Sequence, residues 1–178
     1  VDVLSWDARK KSVAAVTEVR LGSLVLDQKP CAEPYSEAVR TLLLKATRKE
    51  HLQPLPWTDR TRKLQQRLAV LHKHRPSDWP DRSDAWLEQH LEDFLGPQLL
   101  GMSSFKQLES LSLEDCLWGD LAYEKRRELE QLLPATWRLP SSREVDIVYG
   151  EPPVLAAKLQ EFFGCTEHPA VMGGLLPL

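Results

Sequence analysis

Over the first thirty residues, apolar positions gather in two runs, Val1 to Trp6 and Val13 to Leu26, on either side of a polar stretch through Asp7, Ala8, Arg9, Lys10 and Lys11. Apolar runs flanking a polar turn predict a β-hairpin. The second run is too long for one straight strand. Gly22, lying between Val19-Arg20-Leu21 and Leu24-Val25-Leu26, predicts a bulge or sharp bend there, the device by which small barrels turn corners.

From Tyr35 to Leu133 the period becomes helical. A first helix is expected over Ser36 to Glu50, with Ala38, Leu42, Leu43 and Ala46 on its inner face, ended by Pro54 and Pro56. A second runs from an N-cap at Thr58 to His74, burying Leu64, Leu68 and Leu71 before Pro76 and Pro80. A third, Ser83 to Leu95, turns Trp86, Leu87, His90 or Leu91, and Phe94 inward and stops at Gly96-Pro97. Ser104 with Gln107, and Ser112 with Asp115, have capping-box spacing and mark two more helix starts, the second helix extending to about Leu132.

After Pro134 the β pattern returns as Thr136 to Leu139 and Glu144 to Tyr149 around Pro140-Ser141-Ser142. A helix over Pro153 to Phe163 capped by Gly164 follows, then the start of a strand at Gly174 to Leu178. This order predicts an α+β fold: an OB-like small β-barrel, closed or incomplete, interrupted by a large all-helical insertion. Residues 1–30 supply the first hairpin, 31–133 the insertion, and 134–178 the returning strands and helix.

Composition narrows the function classes. The chain has 178 residues, 42% hydrophobic and 28% charged, within the range of folded chains and far from disorder. No apolar run approaches the ~20 residues needed to span a bilayer, and the first residues are not a secretory signal, so a cytoplasmic chain without membrane contact is expected. Cys31, Cys116 and Cys165 are odd in number and far apart, which predicts buried or idle thiols rather than a disulfide framework or zinc site. The net charge of −3 argues mildly against autonomous nucleic-acid binding, which draws most of its non-specific affinity from phosphate contacts.

Candidate chemistry is sparse. Gly96 to Ser103 has the glycine spacing of a P-loop but carries Met102 in place of the lysine and follows a helix rather than a strand. His72 and His74 fall in the last turn of a helix, where cations meet the negative end of its dipole. His51, His90 and His168 have no partner at metal-ligand spacing, and there is no GxSxG elbow. The charges of Glu124 to Glu130 read as a solvated helix face. Basic clusters occur at Arg9-Lys10-Lys11, Arg60 to Lys63, His72 to Arg75 and Lys125 to Arg127. Those next to β structure are the hairpin tip and the region of Trp137, Arg138 and Arg143, where an aromatic beside cations would suit base stacking, although Trp137 alternates with Leu139 and fits a core position.

A longer pattern lies in the C-terminal third: Leu133-Pro134-Ala135-Thr136-Trp137, Pro140-Ser141, Ile147-Val148-Tyr149, and Pro152-Pro153-Val154-Leu155-Ala156-Ala157-Lys158-Leu159-Gln160-Glu161-Phe162-Phe163-Gly164. It continues through His168-Pro169 and Gly174 to Pro177-Leu178, and matching marks stand at Trp6-Asp7, Leu21 to Leu26, Trp57-Thr58 and Trp79-Pro80. This pattern resembles the C-terminal region of HrpB-type, DEAH-box-related ATP-dependent helicases. The resemblance implies an accessory piece of an RNA helicase whose OB-like domain flanks the motor and lines the nucleic-acid path.

The sequence has no P-loop lysine, no Asp-Glu-x-His box and no arginine-finger motif. ATP and Mg²⁺ are therefore expected in motor domains absent from this chain, and no cofactor or catalytic residue within it. The family is expected to continue past Leu178 through a further strand and a tail. Expected partners are the motor domains of the same polypeptide and RNA or another single-stranded nucleic acid. The resemblance supplies no residue-level motif for that contact, so Arg138, Arg143 and Lys158 are candidates as cations near the expected barrel. The rival expectation is a protein-interaction module in which the helical insertion recruits a partner.

Overall fold

The computed structural model describes residues 2–30 and 37–178. Val1, Cys31, Tyr35 and Ser36, each given a place in the expectations above, lie outside the described residues. The chain divides into two compact units, Val1–Trp57 with Asp84–Cys116, and Thr58–Ser83 with Leu117–Leu178. Each unit combines strands with helices.

In the first unit, β1 (Asp2–Asp7), β2 (Ser12–Leu21) and β3 (Leu24–Pro30) form an antiparallel meander in that order. The bend expected at Gly22 is a complete reversal. Leu21 pairs with Leu24 across a two-residue turn, and Gly22 has φ +63°, which a residue without Cβ adopts at little cost. The long apolar run is thus two strands. The irregularity in pairing sits a few residues away, at Val19/Arg20, where Leu26 is left over between the two registers. At the other turn, Asp7 Oδ1 accepts the backbone N–H groups of Arg9 (2.9 Å) and Lys10 (3.1 Å). The Lys10 amide holds the Asp7 carboxyl below its ordinary value.

Helix α1 (Glu37–Lys49) buries Val39, Leu43, Leu44 and Ala46. Its inner stripe is rotated from the expected one, leaving Ala38 exposed and Leu42 half-buried. The single helix expected over 83–95 is two, α3 (Asp84–Gln89) and α4 (Leu91–Leu95). They break at His90, whose backbone is not helical (φ −109°, ψ 30°) and whose ring stacks on Trp86 at 4.5 Å. The long helix expected from Ser112 to Leu132 likewise divides into α6 (Leu113–Trp118) and α7 (Tyr123–Leu132), with Gly119 at φ +50° between them. A short α5 (Phe105–Leu108) precedes them.

In the second unit, α2 (Asp59–His74) starts where the sequence places it. The Thr58 Oγ1 accepts from the Thr61 amide (3.2 Å) and Thr61 Oγ1 accepts from the Thr58 amide (2.8 Å), a reciprocal cap with threonine in the usual place of glutamate. Leu64, Leu68 and Leu71 are buried as expected. His72 serves a local role, its Nδ1 lying 2.7 Å from the Trp79 carbonyl oxygen.

The returning strands are β4 (Thr136–Arg138), β5 (Glu144–Val148) and β6 (Val154–Leu155), in the order β4-β5-β6, with a separate pair β7 (Ala170–Val171) and β8 (Leu176–Pro177). The helix expected over Pro153 to Phe163 does not form. Val154 and Leu155 pair with Val148 and Ile147, and only Leu159–Phe162 winds, as a 3-10 turn. Consecutive prolines at 152 and 153 favour extended backbone before them, and β-branched Val154 fits a ladder better than a first helical turn. Nor is there a closed barrel. Among the described residues the strands form separate open sheets, because no ladder joins β1–β3 to β4–β6 and three of the later strands are only two residues long.

Candidate nucleic-acid interface

The three cations expected to meet nucleic acid all lie in the second unit, on or after β4–β5. Arg138 ends β4, is exposed, and pairs in register with Glu144. Arg143, in the turn between the two strands, donates from Nη1 to Glu161 Oε1 at 2.8 Å. The other oxygen of the same carboxylate accepts the backbone N–H of Lys158 at 3.0 Å. Glu161 therefore draws the Arg143 side chain and the Lys158 backbone together, and Arg143 holds its carboxyl below the ordinary glutamate range. The Lys158 side chain is exposed. Trp137 is half-buried and pairs in register with Val145.

Most other basic clusters are occupied locally. Lys63 meets Asp146. Lys73 meets Glu151 at 2.8 Å, and Arg75 meets Glu128 at 3.7 Å. Lys125 pairs with Glu128 at 2.8 Å and covers the Trp79 ring, while Arg126 covers that of Trp118. The hairpin tip differs. Among the described residues Lys10 and Lys11 form no ion pair, and neither does Lys106 of α5.

These three lysines line a cleft of about 700 Å³ in the first unit, together with Trp6, Ala8, Glu50, Gln53, Pro54, Leu55, Pro56, Phe105 and Glu109. Its walls are fixed by backbone bonds. The Phe105 amide donates to the Lys11 carbonyl (3.0 Å) and the Val13 amide to the Ser103 carbonyl (2.7 Å), which seats the hairpin tip on the start of α5. That seating brings the Trp6 and Phe105 rings to 4.6 Å between centroids, tilted by 46°. Elsewhere in the lining, the Leu52 carbonyl accepts the Trp57 indole N–H at 2.9 Å, clamping the Gln53–Pro56 loop. The basic hairpin tip is visible in the sequence, but the Trp6–Phe105 pairing has no local signal there.

The Gly96–Ser103 segment does not fit a nucleotide phosphate. Gly96–Leu99 is a 3-10 turn, Gly96 is buried, Pro97 lacks an amide donor, and Met102 stands in the lysine position. Among the described residues no group of three or more His, Cys, Asp or Glu side chains is placed to hold a metal ion, and no helix is long and apolar enough to cross a membrane.

Comparison with known proteins places this architecture. A family described as ATP-dependent helicase C-terminal matches residues 94–178. Over 180 aligned residues the chain is 32% identical to the ATP-dependent RNA helicase HrpB of Escherichia coli (strain K12), an alignment that takes in 99% of this chain. The chain corresponds to the C-terminal region of HrpB-type helicases. It spans 22% of the length of that relative. Two crystal structures from E. coli resemble it at 32% identity over 99% of this chain. They are the DEAH/RHA helicase HrpB, at TM-score 0.72 and 23% of that chain, and the DExH-box NTPase HrpB, at TM-score 0.73 and 22%. The mixed α+β architecture is thus that of the HrpB C-terminal region, with its sheets open among the described residues.

Proposed function

We propose that this chain is the accessory, nucleic-acid-facing and motor-docking part of an ATP-dependent RNA helicase. The observation carrying this reading is the 32% identity spread over 99% of the chain to a helicase of which it spans 22%, which leaves a motor to the rest of the polypeptide. ATP and Mg²⁺ belong to that motor. The meander β1–β3 serves as an OB-like wall of the nucleic-acid path, and α1 packs against it. Docking uses the β2–β3 hairpin, where Leu21, Leu24 and Leu26 are 70%, 66% and 62% exposed; an apolar surface of this kind asks for a partner. The same hairpin favours a second reading, recruitment of a separate protein to the helicase.

Arg138, Arg143 and Lys158 contact phosphate in this proposal. Fluorescence anisotropy with single-stranded RNA across a salt series should show affinity falling steeply with salt. Arg138→Ala/Arg143→Ala should weaken binding and flatten the log–log slope by about 1.4 for two lost contacts, at ~0.7 each on a single strand. An unchanged slope in the double variant would remove these residues from the interface.

Glu161 gives the patch a pH dependence. Because its carboxyl is held low in the fold, its ion pair contributes stability above the ordinary glutamate range and loses it as pH falls through the depressed value. Glu161→Gln should release Arg143 at neutral pH and tighten RNA binding by about threefold or less, the worth of an exposed pair. Equal or weaker binding of this variant would show that Arg143 works only as a partner of Glu161.

A further inference from the structure

We propose that the cleft between the β1–β2 tip and α5 is a base-stacking subsite for single-stranded nucleic acid, with Trp6 and Phe105 as the platform and Lys10, Lys11 and Lys106 on the flanking phosphates; this rests on the nucleic-acid-facing reading above. Three observations converge on it. The first is the aromatic pair. Both rings are half-buried in the cleft wall, 4.6 Å apart, so they present π surface in a place rigid enough to order a base. The second is charge. Lys10, Lys11 and Lys106 are all exposed and, unlike Lys63, Lys73, Lys125 and Arg143 of the second unit, form no ion pair with a carboxylate among the described residues. Ammonium groups without a carboxylate partner can neutralise phosphates and release counterions without first breaking an ion pair.

The third observation is preorganisation and shape. The Phe105 and Val13 amide bonds tie the tip to α5, and the Asp7 side chain closes the turn that carries Lys10 and Lys11, so little ordering remains to be done on binding. The volume of about 700 Å³ is that of a small-ligand site, and an aromatic platform recessed in such a cleft meets only bases outside a duplex stack. Glu50, Gln53 and Glu109 also line the cleft, and their side chains offer hydrogen bonds to base edges.

The test is anisotropy of the whole 178-residue chain with labelled 12-nucleotide single-stranded RNA over a salt series. It compares wild type, Lys10→Gln/Lys11→Gln/Lys106→Gln, Phe105→Leu, Trp6→Leu and Arg138→Ala/Arg143→Ala. The lysine triple variant, confined to exposed side chains, should lower affinity at least tenfold near 0.1 M salt and reduce the log–log slope by about two. Trp6→Leu and Phe105→Leu should each lose roughly five- to a hundredfold with the slope unchanged, since stacking carries no counterions. Unchanged circular dichroism and melting temperature in Phe105→Leu separate the lost platform from a lost fold. Wild-type binding that these variants leave intact, but that falls in Arg138→Ala/Arg143→Ala, overturns the cleft and keeps the nucleic-acid reading. No wild-type binding at low salt overturns both and favours a protein ligand for this surface.

Discussion

Trp79→Ala should destabilise the second unit by about 3–5 kcal/mol, the range for removing a large aromatic side chain from a packed interior. Trp79 is only 1% exposed, the most enclosed aromatic of this unit. It follows α2 and closes that end twice over: its carbonyl receives His72 Nδ1 at 2.7 Å, and the Lys125 ammonium of α7 lies 4.8 Å from the ring centroid. The alanine variant leaves a cavity between two helices of the unit and a lysine without its ring. Urea denaturation followed by circular dichroism should show the midpoint falling with little change in slope, and a loss under 1 kcal/mol would mean that the ring is not a packing centre.

Arg67→Ala should cost about 2–3 kcal/mol, by a different route. Arg67 is 7% exposed on α2, and its Nε donates to the Leu133 carbonyl at 2.7 Å, just past the end of α7. Its Nη2 lies 2.8 Å from Glu130 Oε1, and close by the Tyr149 hydroxyl donates to the Pro134 carbonyl at 2.6 Å. The guanidinium thus caps the helix C-terminus at the turn into β4, where cation and carbonyl dipoles agree. Breaking a fully buried ion pair costs more, but Glu130 is 61% exposed and rehydrates readily, so the loss is that of a charge-assisted hydrogen bond and of the packing of the arginine stem. Arg67→Lys should recover only part of it, since an ammonium cannot reproduce the fork. Thermal melts of the three proteins give the order directly, and equal stability of Arg67→Lys and wild type would contradict the cap.

Elements whose causes are local were legible in the sequence. Thr58 starts α2 because its hydroxyl and that of Thr61 satisfy amides within one turn, and Leu64, Leu68 and Leu71 follow from spacing alone. The hairpin tip at Asp7 to Lys11 was legible for the same reason. Errors arose where distant packing or competing local preferences decided. Gly22 and Gly119, both at positive φ, end elements where the apolar pattern alone runs on. The alanine-rich stretch after Pro153 reads as helix, yet Val154-Leu155 finds β5 and becomes strand. The same holds for the candidate site: Arg138, Arg143 and Lys158 are candidates from charge near strands, whereas Glu161 as the partner of Arg143 and the meeting of Trp6 with Phe105 depend on tertiary contacts that no window of sequence contains.

The salt dependence of wild-type binding to single-stranded RNA decides whether this region faces single-stranded nucleic acid, as proposed above. Tight binding at ~50 mM salt is expected, weakening linearly in log K against log salt with a slope of −2 or steeper for three or more neutralised phosphates. Absence of binding at that salt, or binding indifferent to salt, would contradict it.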